Sequence, residues 1–289
     1  MIWGKETLMR TESLATGMRR VFIDDAMQAR FEHDGYVVVD CLSASQVDEL
    51  LDEWNCLSDE IDQAGFSSSL MSRNIEYRNK VHEIVGSRLA SPASTLLLRY
   101  RMVMCNFLNK RPGQRNGMVE MHQDWTFVDE ERYYSIGIWC PLVDVDRTNG
   151  CLRIVPGSHR LNRRPRGFHR TFPYTELLPL LEERYITDVP MEAGQAFIYT
   201  QTLFHSSPLN NSQAERVVAG ALFVPEESQM YFLMPQQESG MLGVYAVPDD
   251  FYRTLMMGST PPGDWLVKTC VDEYEQLTGE RLHEILWNA

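Results

Sequence analysis

Between residues 96 and 225 the chain runs as short β-rich segments divided by turn signals, with no helical periodicity between them. LLLRYRMVMCNFL gives way to RPGQRNG, YYSIGIWCPLV to DRTNG, CLRIV to PGSH, and QAFIYT and RVVAGALFV follow. Parallel neighbours would need crossover helices, so strands at this spacing pair antiparallel. A mainly β (α+β) fold is therefore expected, a double-sheeted barrel or jelly roll with helices packed on the outside.

The flanks read differently. YVVVD at 36–40 is a buried strand, and Ser43 with Gln46 forms a capping box ahead of Val47, Leu50, Leu51 and Trp54, so a strand leads into an amphipathic helix. Val81, Val85 and Leu89 predict a second helix over 74–89, and the C-terminus from about 264 is expected to be helical. Residues 226–262 carry Met230, Met234, Met241, Met256 and Met257 among aromatics, a set that either closes over a pocket mouth or fills core. No Pro/Gly/Ser-rich linker marks a boundary. The expected layout of 1–289 is one domain: a helical N-terminal region over residues 1–95, a β-barrel core at about 96–225, and a lid with C-terminal helices over 226–289.

Twenty-seven Lys and Arg against forty Asp and Glu leave a formal charge of −13, a field that repels nucleic-acid phosphates and anionic membranes. Six cysteines without a CxxC pair fit a reducing compartment, and the N-terminus lacks a signal-peptide core, so a cytoplasmic location is expected.

The run VEMHQDW puts His122 and Asp124 two residues apart at the end of an expected strand, where period-2 geometry turns both side chains to one face. His205, in LFHSS, lies 81 residues beyond Asp124 in a separate β segment. Two imidazoles and one carboxylate on one side of an ion form the facial triad that leaves coordination positions open and suits Fe(II) oxygenases. Arg216 follows His205 by 11 residues at the head of a nearly uncharged strand. A buried guanidinium there would need an anionic partner, and its fork suits a carboxylate.

His122-Gln-Asp124, the turn-rich NGCLRIVPGSH at 149–159, His205, Ser207 and Arg216 together resemble the phytanoyl-CoA hydroxylase (PhyH-like) branch of Fe(II)/2-oxoglutarate-dependent dioxygenases, over about residues 31–225. The resemblance implies a double-stranded β-helix (cupin-like) fold. It implies His122, Asp124 and His205 as iron ligands and catalytic centre, and Arg216 as anchor for the distal carboxylate of 2-oxoglutarate. Ser207 would add a hydroxyl to that carboxylate; Ser135 and Trp139 would line the co-substrate pocket with Gly137 between them. Asn109 would either touch the co-substrate or order its turn, and His159 would order the PGSH turn. The implied chemistry uses Fe(II), 2-oxoglutarate and O2 to oxidise an unactivated C–H bond, releasing succinate and CO2. Asp124 stands where halogenases of this group leave a vacant site, so hydroxylation is the default, with desaturation, cyclisation or rearrangement as alternatives.

The substrate is expected to be a small molecule. HRLNRRPRGFHR packs Arg160, Arg163, Arg164, Arg166 and Arg170 together after the PGSH turn; the run either attracts an anionic or carrier-bound group or balances nearby acids as a solvated loop. Gln123, Trp125, Phe127 and Arg166 are candidate substrate contacts. Two rival readings are a cupin-like metal hydrolase or isomerase using ligated water, and a non-catalytic binding barrel.

Overall fold

The computed structural model describes residues 17–61, 64–167, 171–236, 239–254 and 259–287. Its order is α1 (Asp25–Asp34), β1 (Tyr36–Asp40), α2 (Ala44–Leu57), β2 (Phe66–Ser68), α3 (Ile75–Leu96), β3 (Tyr100–Lys110), β4 (Val119–His122), β5 (Ile136–Pro141) and β6 (Leu152–Ile154). There follow α4 (Leu178–Arg184), β7 (Thr187–Val189), β8 (Gln195–Thr200), β9 (His205–Ser207), β10 (Arg216–Pro225), β11 (Met230–Gln236), β12 (Met241–Val247), α5 (Phe251–Thr254), β13 (Leu266–Val271) and α6 (Gly279–Trp287). Three antiparallel sheets result, ordered β1-β8-β5-β10-β3-β2, β4-β9-β6-β7 and β11-β12-β13.

Local signals explain the N-terminal layer. Asp24 caps α1 by accepting from the Met27 amide, and Gly35 ends that helix at φ 83°, a left-handed conformation that glycine adopts without penalty. A Cβ at Gly35 would stand 2.6 Å from Nδ1 of His159, so the close approach also demands glycine. Ser43 and Gln46 form the expected capping box on α2. The helix expected over 74–89 is capped by Asn74 and continues to Leu96 through Pro92.

The six-stranded sheet has two differently used faces. Phe107, Ile138, Cys140, Ile198, Ala219 and Phe223 join Phe31, Leu50, Trp54, Val81 and Leu89 of the helices in one core. The alternate residues Trp139, Phe197 and Val218 meet Cys151, Leu152 and Ile154 in another, so the four-stranded sheet stacks on the opposite face. These two sheets form an open jelly roll with helices outside, as expected, and every residue of β10 is buried. Burying both faces is what removes the hydrophobic alternation from RVVAGALFV.

The C-terminal third departs from expectation. Residues from 266 begin with β13 rather than a helix, and only Gly279–Trp287 is helical beyond it. Met230 and Met234 lie on β11 of the third sheet, Met230 fully buried against Phe127 and Phe251. Met256 and Met257 fall outside the described residues, as do Arg170 and residues 1–16. No helix among the described residues is long and apolar enough to cross a membrane.

Candidate functional site

Strands β4 and β9 pair with His122 directly opposite His205, which brings the two imidazoles to a ring-centroid separation of 4.1 Å. Asp124 follows β4, and its carboxylate oxygens lie 3.6 Å from Nε2 of His122 and 3.7 Å from Nε2 of His205. The donor atoms of the three residues all fall within 4.8 Å of one another, so one ion could meet all three. Backbone carbonyls fix the rings: Nδ1 of His122 bonds Glu120 O at 2.8 Å, and Nδ1 of His205 bonds Leu203 O at 3.0 Å. With Nδ1 as the donor, each Nε2 keeps a lone pair for a metal.

Electrostatics divide the trio. Burial drives His205 down to about 4, with the neighbouring His122 acting in the same sense. Burial alone would also lower His122, but Asp124 outweighs it and the net shift is upward. For Asp124, burial favours the neutral acid, yet His205 and His122 hold it ionised, at about 2. A neutral imidazole and a carboxylate are the forms that ligate a divalent ion.

Two residues that sequence reading missed orient the carboxylate. Tyr199, on β8 opposite Gly137, donates its hydroxyl to Asp124 Oδ2 at 3.1 Å. Gln201, oriented to satisfy both ends of its amide, donates to the same oxygen and accepts from Gly137 N at 2.9 Å. Gly137 is small for this reason, since a Cβ there would lie 2.5 Å from the Tyr199 ring and 2.7 Å from the Gln201 amide.

Arg216 opens β10 at 1% exposure, its guanidinium 5.2 Å over the Trp139 ring. Its Nε and Nη1 are buried without a hydrogen-bond partner, and burial pushes its pKa down to about 9. A buried cation with unused donors facing a cavity is the counterpart of a carboxylate ligand. Ser207 lines the same cavity and donates to Gly150 O at 2.8 Å. Lys110, opposite Arg216 in the register, is a buried lysine that sequence reading missed; burial first and Arg216 next push its pKa down to about 6, and its Nζ donates to Ser207 O at 2.6 Å.

Other expected contacts are placed elsewhere. On β3 the residues Met104, Asn106 and Leu108 line the cavity, so Asn109 turns to the opposite face beside Val217, its amide atoms buried without a hydrogen bond. Asn106 takes the polar position instead, bonding Ser68 Oγ at 3.1 Å. Ser135 precedes β5 and does not line the cavity; the lining begins at Gly137 and includes Trp139. Gln123 lines the wall, but its amide is engaged with Asn162 at 3.0 and 2.9 Å and with Thr202 O, which makes it a strut. Trp125 and Phe127 both line the cavity, Phe127 being 4% exposed within an aromatic cluster.

The arginine run is internally committed. Arg166 donates to Glu130 at 2.7 Å, to Asp124 O at 2.8 Å and to Arg164 O at 3.0 Å. It braces the backbone of Asp124 and has no fork to offer a ligand. Arg160 bonds Gly157 O and Ile285 O, Arg163 bonds and covers Tyr134, and Arg164 pairs with Glu273 and Glu275. His159 is buried beneath Gly35 and held neutral, at about 3, by burial first and by Arg160 next.

Metal trio, Arg216 and Trp125 share one cavity of about 430 Å³ between the two sheets. Among known proteins, the family model of phytanoyl-CoA dioxygenase (PhyH) matches residues 31–218. A "Phytanoyl-CoA dioxygenase" of Arabidopsis thaliana is 34% identical over 134 residues, 45% of this chain and 47% of that protein. The "Phytanoyl-CoA dioxygenase domain-containing protein 1" of Danio rerio is 33% identical over 122 residues, 39% of this chain and 40% of that protein. The matched segment thus spans less than half the length of each relative. The epimerase SnoN, solved with Fe3+, alpha ketoglutarate and nogalamycin RO, superposes with a TM-score of 0.54 at 22% identity, covering 89% of this chain and 96% of its own.

Proposed function

This chain belongs to the phytanoyl-CoA dioxygenase family, and from that premise we propose that it is a non-haem Fe(II)/2-oxoglutarate-dependent oxygenase that hydroxylates an unactivated C–H bond of a small molecule. The observation that carries the reading is the meeting, in one cavity, of a His122-Asp124-His205 donor set with a buried guanidinium whose donors are unused. His122, Asp124 and His205 would hold the iron, and Arg216 with Ser207 the distal carboxylate of 2-oxoglutarate. Bound ferrous iron with 2-oxoglutarate and O2 supplies the oxidising power, the co-substrate leaving as succinate and CO2.

The chain's own share is positional. Glu120 O and Leu203 O set the histidine tautomers, while Tyr199, Gln201 and Arg166 hold the Asp124 carboxylate and backbone in place. Trp139 backs the Arg216 guanidinium, and the aromatic walls keep water away from the reacting centre. A hydrolase or isomerase using ligated water has no use for Arg216, and a barrel without chemistry has no use for a complete donor set. An outcome other than hydroxylation is the second reading, favoured by the epimerase activity named for SnoN on the same fold; desaturation and cyclisation belong with it.

The test is spectroscopic and then chemical. Fe(II) and 2-oxoglutarate added without oxygen should give a visible metal-to-ligand charge-transfer band, absent in Asp124→Ala; no band in the unaltered protein refutes the reading. With oxygen, a substrate should stimulate succinate release. A product heavier by one oxygen supports hydroxylation, and one lighter by two hydrogens replaces it with desaturation or cyclisation.

A further inference from the structure

The cavity that holds the His122-Asp124-His205 trio is also lined by aromatic and sulfur-bearing side chains, Trp125, Phe127, Phe172, Tyr252, Tyr274 and Met104 among them. Trp125 and Tyr252 lie 25° from parallel with centroids 6.4 Å apart, and Phe127 stands edge-on to Tyr252 at 5.0 Å. The Tyr252 hydroxyl is already spent on Tyr231 O at 2.8 Å, so that ring offers the pocket only its carbon surface.

Every charge on the described part of the wall has an assignment. The charged or metal-ligating residues among the described lining are His122, Asp124, His205, Arg166 and Arg216. The first three form the donor set and Arg216 faces the co-substrate carboxylate. Arg166 is 4% exposed at its side chain and closed into an ion pair with Glu130 at 2.7 Å. An anionic substrate entering here would lose its hydration and gain no countercharge from the described residues. The cofactor carboxylate has a partner; among the described residues a second anion has none.

We propose that the substrate is a neutral, flat, ring-bearing molecule held between the aromatic walls by offset stacking, and that it is neither a coenzyme A thioester nor a free carboxylate. This rests on the oxygenase reading above. Aromatic faces return stacking energy to a planar partner that a flexible acyl chain cannot match. A cavity of about 430 Å³, shared with 2-oxoglutarate, fits one ligand of drug size. No further cation that could meet a phosphate lines it among the described residues.

The experiment is anaerobic titration calorimetry of the full chain loaded with Fe(II) and 2-oxoglutarate, with the charge-transfer band recorded in the same samples. The probes are flavone and xanthone as neutral planar ring systems, palmitoyl-CoA as thioester and palmitate as carboxylate. The expected result is heat of binding and a shifted band with a ring probe, and at least tenfold weaker or absent binding of the two acyl probes. Trp125→Ala, and separately Phe172→Ala, should each weaken the ring probe at least tenfold, with the band itself showing that the variant is folded. Tighter binding of palmitoyl-CoA or palmitate overturns the proposal, as does binding of none of the four. If the band never forms, it is the oxygenase reading that fails, and the two failures are told apart before any probe is added.

Discussion

Replacing Arg216 by Met should move two measurements in opposite directions. The guanidinium is 1% exposed, stacked on Trp139, and lacks partners at Nε and Nη1. Its depression from 12.5 to about 9 corresponds to about 5 kcal/mol of unfavourable burial, at 1.36 kcal/mol per unit, as an order of magnitude. Some of that is returned by the stacking, worth roughly 0.5–2 kcal/mol. The ligand-free variant should therefore be more stable than the parent by a few kcal/mol, read as a rise of several degrees in Tm. Binding of 2-oxoglutarate should collapse at the same time. Removing one partner of a buried ion pair costs about 3–5 kcal/mol, which at 1.4 kcal/mol per decade weakens Kd by roughly two to three and a half orders of magnitude. The assay is a pair of thermal melts with and without 2-oxoglutarate, plus anaerobic calorimetry with Fe(II) present. In the parent, saturation at 100 times Kd should add about 2.7 kcal/mol of stability, an increment the variant loses. A ligand-free variant that melts lower, with Kd changed by less than tenfold, would refute the assignment of Arg216 as an unpaired anchor.

Gly137→Ala tests the support of the metal carboxylate. The new methyl would stand 2.5 Å from the Tyr199 ring and 2.7 Å from the Gln201 amide, pushing both away from Asp124. Loss of outer hydrogen bonds of this kind typically weakens a metal site by roughly 10–100-fold, to be read by Fe(II) titration, and unchanged affinity would remove Tyr199 and Gln201 from the site. His159 gives a pH signature. Its folded pKa is lowered to about 3 from 6.5, so below 6.5 the unfolded chain takes up a proton that the folded chain refuses. Stability should fall as pH drops from 6.5 towards 3, by up to about 1.4 kcal/mol per unit, and His159→Asn should flatten that limb of a Tm-against-pH curve. An unaltered slope would mean that this ring is solvated.

Much of the fold was legible because the turns are local. The β segments ended where Pro112-Gly113, Asn149-Gly150 and Pro156-Gly157 interrupt them, and the Ser43 capping box needs only residues three apart. The misses lie where tertiary contact overrides local preference. Helix α3 runs through Pro92, a break on sequence grounds alone, and Ala93 beyond it is buried in the helix-covered core. Strand β13, LVKTCV, is apolar at Leu266, Val267, Cys270 and Val271, yet nearly all of its residues are exposed and no strict alternation marks it; its pairing with β12 decides its form.

The site divides in the same way. His122, Asp124, His205 and Arg216 were readable because their order along the chain and their residue types identify them before any register is known. Asn109 shows the limit: one residue along β3 reverses the face, and only pairing with β10 reveals that Asn106 looks inward while Asn109 looks away. Tyr199 needed the β5–β8 register to bring it opposite Gly137, and Arg166 needed Glu130, 36 residues upstream, to turn from a free cation into a brace. The Arg166 correction removes a candidate substrate contact and adds a support for the Asp124 backbone. In the folded chain Thr126, Glu130 and Arg166 form one closed hydrogen-bonded loop around the backbone that follows the HxD pair. A buried acid four residues after a threonine, with an arginine in a distant turn, has to be neutralised from within, because the interior of a jelly roll offers it no water.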